Sequence, residues 1–207
     1  MAIELKFAAE TEANRIAWNH VSSRFAGGCA LPSWGPFGEC ANEDLLGNLD
    51  GKNVLEVGCG SGHSLAYIAR SRAAKIFGLD FSYTAIDLAK ETNRQELASG
   101  RVTLFEMPME RRDPLRDIDV CFSIQAIGWT LDPASVFANI AGYLKPGGLF
   151  VWSWGHPITS KVRYQSGQYV IADSYFNDAP HREVGWPWRL RTARDYPPGW
   201  YHLGPWA

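Results

Sequence analysis

The sequence predicts an α/β protein built on a doubly wound, mostly parallel sheet with helices on both faces. Strand-like and helix-like segments alternate from residue 52 to residue 154, as repeated strand–helix–strand crossovers require. The first strand ends in Glu56 and enters a loop with glycines at 58, 60 and 62. Such a turn places a ligand crevice at the carboxyl end of a parallel sheet. Right-handed crossovers bring the other strand ends to the same edge.

Each element has its own signal. Residues 10–26 carry Ala13, Ile16, Ala17 and Val21 at helical spacing, with Trp18 adding bulk, before Gly27-Gly28. Residues 31–38 form a loop holding Trp34 and Phe37, and residues 39–48 read as a second helix closed by Gly51. Strands follow at 52–57, 75–80, 101–106, 118–124 and 149–154. Helices are expected at 64–71, at 84–97 with Ser82 as cap, and at 133–143 with proline in its first turn. Lys145-Pro146-Gly147-Gly148 reads as a turn, and residues 162–171 as a local hairpin. The chain divides into a helical cap at 1–50, a core at 51–156, and an aromatic and proline-rich lid or interface segment at 157–207. Four of nine Trp and five of twelve Pro fall late in that last segment, which excludes regular helix there.

Composition excludes several classes. At 207 residues, with 46% hydrophobic and 20% charged residues and a net charge of −2, the chain offers one core and no basic surface for nucleic acid. No apolar run is long enough to span a membrane, and residues 1–6 lack a signal-peptide core. Cys29, Cys40, Cys59 and Cys121 form no CxxC pair, which fits reduced thiols in the cytoplasm. No HExxH, H-x-E or Cys/His cluster suggests a metal.

Glycines let a backbone approach a ligand closely, and the following helix start offers free N–H groups. The spacing narrows the ligand. A dinucleotide loop wants G-x-G-x-x-G, but its third slot here is His63. Glu56-Val57-Gly58-Cys59-Gly60-Ser61-Gly62, an E-x-G-x-G-x-G run, resembles motif I of the class I S-adenosylmethionine-dependent methyltransferases, whose fold is Rossmann-like. Residues 76–82, 105–110, 119–133 and 144–149 resemble that family's later motifs in order. The resemblance covers roughly residues 50–156.

It implies S-adenosyl-L-methionine as cofactor and S-adenosyl-L-homocysteine as product. Glu56 would face the methionine ammonium, with Gly58, Cys59 and Gly60 lining that end. Asp80, with Phe81 beside it, would take the ribose hydroxyls; its alternative role is a helix cap. Met109 would meet the adenine in place of the usual Asp-Ala pair, with Glu110 near, unless 106–110 is a plain surface loop. Ser123 and Gln125 would line the sulfonium side. Trp129 would face the substrate or simply pack on the helix at 133–143.

His156, just past the fifth strand, is the best-placed base for an acceptor, or else it orders the loop before Pro157. Trp18, Trp34, Phe37, Trp129 and Tyr175 suit a lid over a small aromatic or hydrophobic acceptor, and the family analogy extends to natural-product biosynthesis. One departure stands out. The family's closing strands, a sixth and an antiparallel seventh, are not evident, and the hairpin at 162–171 comes too early to be them. An uncovered strand edge invites a homo-oligomer with edge-paired or exchanged elements. Two other functions stay open: a non-catalytic relative binding a partner through its Trp-rich tail, and an NAD(P)-dependent oxidoreductase.

Overall fold

In a computed structural model of the chain, residues 5–25, 32, 34, 45–177, 179, 181–183 and 199–201 are described. Five parallel strands form the sheet: β1 (Asn53–Val57), β2 (Lys75–Asp80), β3 (Val102–Glu106), β4 (Ile118–Ile124) and β5 (Leu144–Ser153). Their order is β3-β2-β1-β4-β5. The chain first winds outward from β1 through β2 to β3, then returns to place β4 on the other side of β1. The carboxyl ends of β1 and β4 therefore bound a topological switch point, where sheets of this kind bind ligands.

Period-2 alternation sorts the strand side chains into two layers. Val54, Ile76, Val120 and Phe122 face one core with Leu65 and Ile68 of α2 (His63–Ile68) and Ile86 of α3 (Tyr83–Thr92). Leu55, Val57, Leu79 and Cys121 face the other, with Val136, Ile140 and Tyr143 of α5 (Pro133–Tyr143). Full burial of each large side chain contributes about 1.5–3 kcal/mol. Ser82 caps α3 by accepting from the Ala85 N–H at 3.1 Å. Asp132 caps α5, accepting from the Ser135 N–H at 3.3 Å.

The strand and helix expectations hold with three adjustments. The helix expected at 84–97 breaks at Asn93 into α3 and α4 (Arg94–Ala98). The turn at 145–148 lies inside β5: Ile118 pairs with Leu144 and Val120 with Leu149, so the four intervening residues bulge out of the ladder. The first helix ends earlier, as α1 (Ala8–Val21) followed by a 3-10 turn, Ser22–Arg24. Of the second expected helix only residues 45–48 are described, and Gly27, Gly28, Phe37, Cys29, Cys40, Trp186, Trp188 and Trp206 lie outside the described residues.

Beyond β5 come α6 (Ile158–Lys161) and the expected hairpin, β6 (Val162–Gln165) with β7 (Gln168–Ile171). This hairpin is a separate two-stranded sheet and does not extend β5. A second small pair joins β8 (His181–Glu183) to β9 (Gly199–Tyr201), and β9 lies against α1. The main sheet thus ends at β5 among the described residues. No described helix is long and apolar enough to cross a membrane.

α1 packs over the carboxyl edge of the sheet through buried polar contacts. Asn14, 1% exposed, donates to the Trp129 carbonyl at 2.9 Å. Asn19 accepts from the Ser82 hydroxyl at 2.8 Å. The helix therefore bridges the ends of β2 and β4.

Candidate functional site

The glycine loop is tied to β2 by its own backbone. The N–H groups of Gly58 and Cys59 both donate to the Leu79 carbonyl, at 2.8 and 3.0 Å. A Cβ on Gly58 would lie 2.3 Å from the Ala126 Cβ, so the loops after β1 and β4 touch at that point. Gly60 differs. Its φ is +51°, and nothing lies within 4 Å of where its Cβ would project. Such a position leaves room for a ligand to approach bare backbone.

Two carboxyls flank this loop. Asp80, at the end of β2, accepts from the Gly60 N–H at 3.0 Å through Oδ2 and from the Ser82 N–H at 2.9 Å through Oδ1. Burial raises its pKa to about 6, against the pull of those N–H groups. Each carboxylate oxygen has a second lone pair, so both can still accept a hydroxyl. Glu56, at the end of β1, is 3% exposed. Burial lifts its pKa well above the ordinary carboxylate range, a Ser64 hydrogen bond opposes the rise, and the nearby Asp80 charge adds to it. Its Oε2 has no partner among the described residues. Stranding a buried acceptor costs about 1–3 kcal/mol, which a donor-bearing ligand would recover.

The other residues singled out from sequence fall into distinct places. The Cys59 side chain points into the α2-side core, where burial pushes its thiol pKa up, leaving only its backbone on the loop. Phe81 is half-buried beside Asp80. Met109 packs against the α5-side core. Asn139 holds the Met109 and Glu110 carbonyls at 3.0 and 2.9 Å. The Glu110 carboxylate accepts from the Thr130 hydroxyl at 2.5 Å, which tethers the loop after β3 to the loop after β4. Ser123 is fully buried and donates to the Val57 carbonyl at 2.8 Å. Its hydroxyl is a strap between β4 and β1, not a crevice-facing group as expected. Gln125 follows β4 with φ +51°, rare for a residue with a side chain, and its side chain is exposed. Strain of this kind clusters at functional sites.

The aromatic residues separate. Trp129 stands edge-on between Trp18, at 5.4 Å between ring centroids, and Trp154, at 6.0 Å. Trp154 in turn packs on Gly128, where any Cβ would run into its ring. Trp34 belongs elsewhere: it stands edge-on to Phe122 in the α2-side core, on the opposite face from Trp154. The expected grouping of Trp34 with Trp18 and Trp129 is therefore corrected. Phe37 lies outside the described residues. Tyr175 is half-buried, its ring 6.1 Å from that of His156.

His156 is exposed, and its Nδ1 accepts from the Ile158 N–H at 3.2 Å. In the neutral ring that bond puts the proton on Nε2, which makes Nε2 a donor. The geometry fits the loop-ordering role. Sequence reasoning missed Asn14, Asn93, Asn139 and Thr130. Asn14 alone carried a signal, as a polar residue between the apolar Ala13 and Ala17.

Comparison with known proteins bears on the family and the fold. Residues 55–152 match the family described as methyltransferase domain. A ubiquinone biosynthesis O-methyltransferase of Alkalilimnicola ehrlichii is 30% identical over 135 residues, 58% of this chain and 53% of that protein. A probable protein arginine N-methyltransferase 6.2 of Oryza sativa subsp. indica is 32% identical over 142 residues, 65% of this chain and 35% of that protein. Among solved structures, an S-adenosylmethionine-dependent methyltransferase from Mesorhizobium loti superposes with TM-score 0.56 at 26% identity, covering 66% of this chain and 63% of the other. Over residues 55–152 the chain matches a methyltransferase domain and shares the fold of an S-adenosylmethionine-dependent methyltransferase. The chain spans about a third to a half of the length of the curated relatives it matches.

Proposed function

We propose that this protein transfers a methyl group from S-adenosylmethionine to a small aromatic or hydrophobic acceptor. The observation that carries the reading is the pair of desolvated carboxyls, Glu56 and Asp80, beside an open glycine loop. An ammonium is the donor that Glu56 Oε2 lacks, and two ribose hydroxyls can use the remaining lone pairs of Asp80. A dinucleotide would instead bring a pyrophosphate toward Glu56, and like charges in a desolvated site repel. That argues against an NAD(P) enzyme.

When bound, S-adenosylmethionine supplies the activated methyl carbon: a bond forms from the acceptor atom as the C–S bond breaks and its electron pair stays on sulfur. The protein positions and excludes water. Glu56 and Asp80 hold donors, Gly60 leaves room, and the loops after β3 and β4 are locked to each other by Glu110–Thr130. Trp18 and Trp129, joined under α1, form an apolar wall suited to a hydrophobic or planar acceptor. A macromolecular acceptor such as nucleic acid is not part of this reading, and no metal is needed for the displacement. We place the protein in the cytoplasm, consistent with free Cys59 and Cys121 in the core, and in natural-product biosynthesis by family analogy. We also infer a homo-oligomer through β5, whose outer edge carries the exposed Leu149 and Trp152; a monomeric mass by light scattering would remove that inference.

Calorimetric titration with S-adenosylhomocysteine, with NAD as control, tests the cofactor. Micromolar binding of the first and none of the second supports the reading. NAD binding, or silence with both, overturns it. Binding without turnover of any small aromatic acceptor favours a non-catalytic relative.

A further inference from the structure

Asn93 is a buried asparagine with no place in the chemistry above. It is 1% exposed and sits where α3 gives way to α4, with φ −112° and ψ 25°. The helical hydrogen bonds run through the break, from the Asn93 N–H to the Ala89 carbonyl at 3.0 Å and from the Leu97 N–H to the Asn93 carbonyl at 2.9 Å. The break is thus a change of direction that turns one side chain inward. Its Nδ2 donates to the Gly62 carbonyl at 3.0 Å and to the Ala89 carbonyl at 3.0 Å. Its Oδ1 is buried with no partner among the described residues.

A leucine here would bury apolar surface without stranding an acceptor. The Gly62 carbonyl does not need Asn93 for satisfaction either, since it already accepts from the Ala66 N–H at 3.0 Å in the first turn of α2. The extra bond fixes where the loop sits. Contact is close enough to demand glycine: a Cβ on Gly62 would lie 2.5 Å from the Asn93 Nδ2 and 2.9 Å from the Ala89 Cβ. Asp80 holds the same loop two residues earlier, through the Gly60 N–H. Residues 60–62 are therefore clamped at both ends to the β2–α3 segment.

We propose that Asn93 is a positioning residue for the cofactor, holding the glycine loop in register for the amino-acid end of S-adenosylmethionine. This rests on the cofactor reading given above. In that reading the ribose falls to Asp80, which sits on β2 and makes no bond to the Asn93 side chain, so the two ends of the cofactor respond differently.

The test compares two ligands by calorimetry in the folded Asn93→Ala variant: S-adenosylhomocysteine, and 5′-methylthioadenosine, which lacks the amino-acid end. The expected result is about tenfold weaker binding of the first, the loss of one well-placed hydrogen bond, and less than about twofold change for the second. The milder Asn93→Ser keeps one donor and should recover part of the loss; it carries the same test where the alanine variant does not fold. Unchanged S-adenosylhomocysteine affinity, or equal weakening of both ligands, overturns the proposal by showing no role or a general loosening. If the unaltered protein binds neither ligand, the cofactor reading itself fails, a separate outcome.

Discussion

Glu56 and Asp80 lie at the ends of adjacent strands, and both carboxyls are held above their ordinary pKa by burial. For Asp80 the Gly60 and Ser82 N–H groups only partly offset that burial, and Glu56 Oε2 has no partner among the described residues. Replacing Glu56 with Gln keeps the shape but removes the carboxyl that can ionise against an ammonium. The Glu56→Gln variant should melt no lower than the parent without ligand, yet bind S-adenosylhomocysteine about 10- to 150-fold more weakly, from about 1.5–3 kcal/mol for a hydrogen bond to a charged group. Equal affinity in the two proteins would remove Glu56 from the site. The sign for Asp80 follows from linkage. Its folded pKa, about 6, exceeds the ordinary aspartate value of 3.8, so the folded state holds the proton more tightly. Its contribution to unliganded stability is full below pH 3.8 and is lost as pH rises toward 6. The ionised form is the better acceptor for ribose hydroxyls. The melting shift given by saturating S-adenosylhomocysteine should therefore grow between pH 5 and pH 7.5, and a flat shift would exclude Asp80 as the titrating contact. At His156, loss of a general base costs about 10²–10⁴ in rate. With Nδ1 engaged by Ile158, the His156→Ala variant should lose less than tenfold in kcat; a loss of a hundredfold or more would restore it as the base.

Among the elements, α1 has the most to do with the acceptor side. It is not covalently near the crevice, yet Asn14 and Asn19 fasten it to the loop after β4 and to the cap of α3. Truncating Asn14 leaves the Trp129 carbonyl without that donor in a part-buried place. The Asn14→Ala variant should lose about 1–3 kcal/mol in urea unfolding, with S-adenosylhomocysteine affinity within twofold of the parent at low temperature. A large fall in cofactor affinity would mean that α1 supports the glycine loop as well. The break between α3 and α4 belongs to the same scale: helical hydrogen bonds run through it, and the side chain at the break bonds to another element.

For the whole molecule, the two core layers meet across β4, with Phe122 on one face and Cys121 on the other. Phe122 is fully buried and touches Trp34, the one aromatic of the 31–38 segment that joins the described core. Phe122→Ala should cost about 3–5 kcal/mol, read as a lowered midpoint in chemical unfolding. A loss below about 1 kcal/mol would show that Trp34 relaxes into the space.

The five strands, their parallel order of winding, the glycine loop and the acid at the end of β2 were all readable from the chain. These signals are local: period-2 and 3.6-residue patterns, turn residues and caps repeat within a few positions. The direction in which a crevice-edge side chain points was not local. Ser123 and Gln125 were both expected beside the sulfonium. The pleat and the β1–β4 register turned Ser123 onto the Val57 carbonyl, while a left-handed backbone set Gln125 at the exposed rim. Cys59 lies inside the loop motif, but close packing against Leu65 and Ile68 drew its side chain to the core. Trp18 and Trp34 looked alike as lid residues, and only the docking of α1 and the face of β4 told them apart. The sequence by itself determined the sheet and the edge where its strand ends converge, because those follow from spacing along one chain. Which polar groups brace the loops was decided by tertiary structure, since Asn14, Asn93 and Asn139 each find partners 29 to 115 residues away.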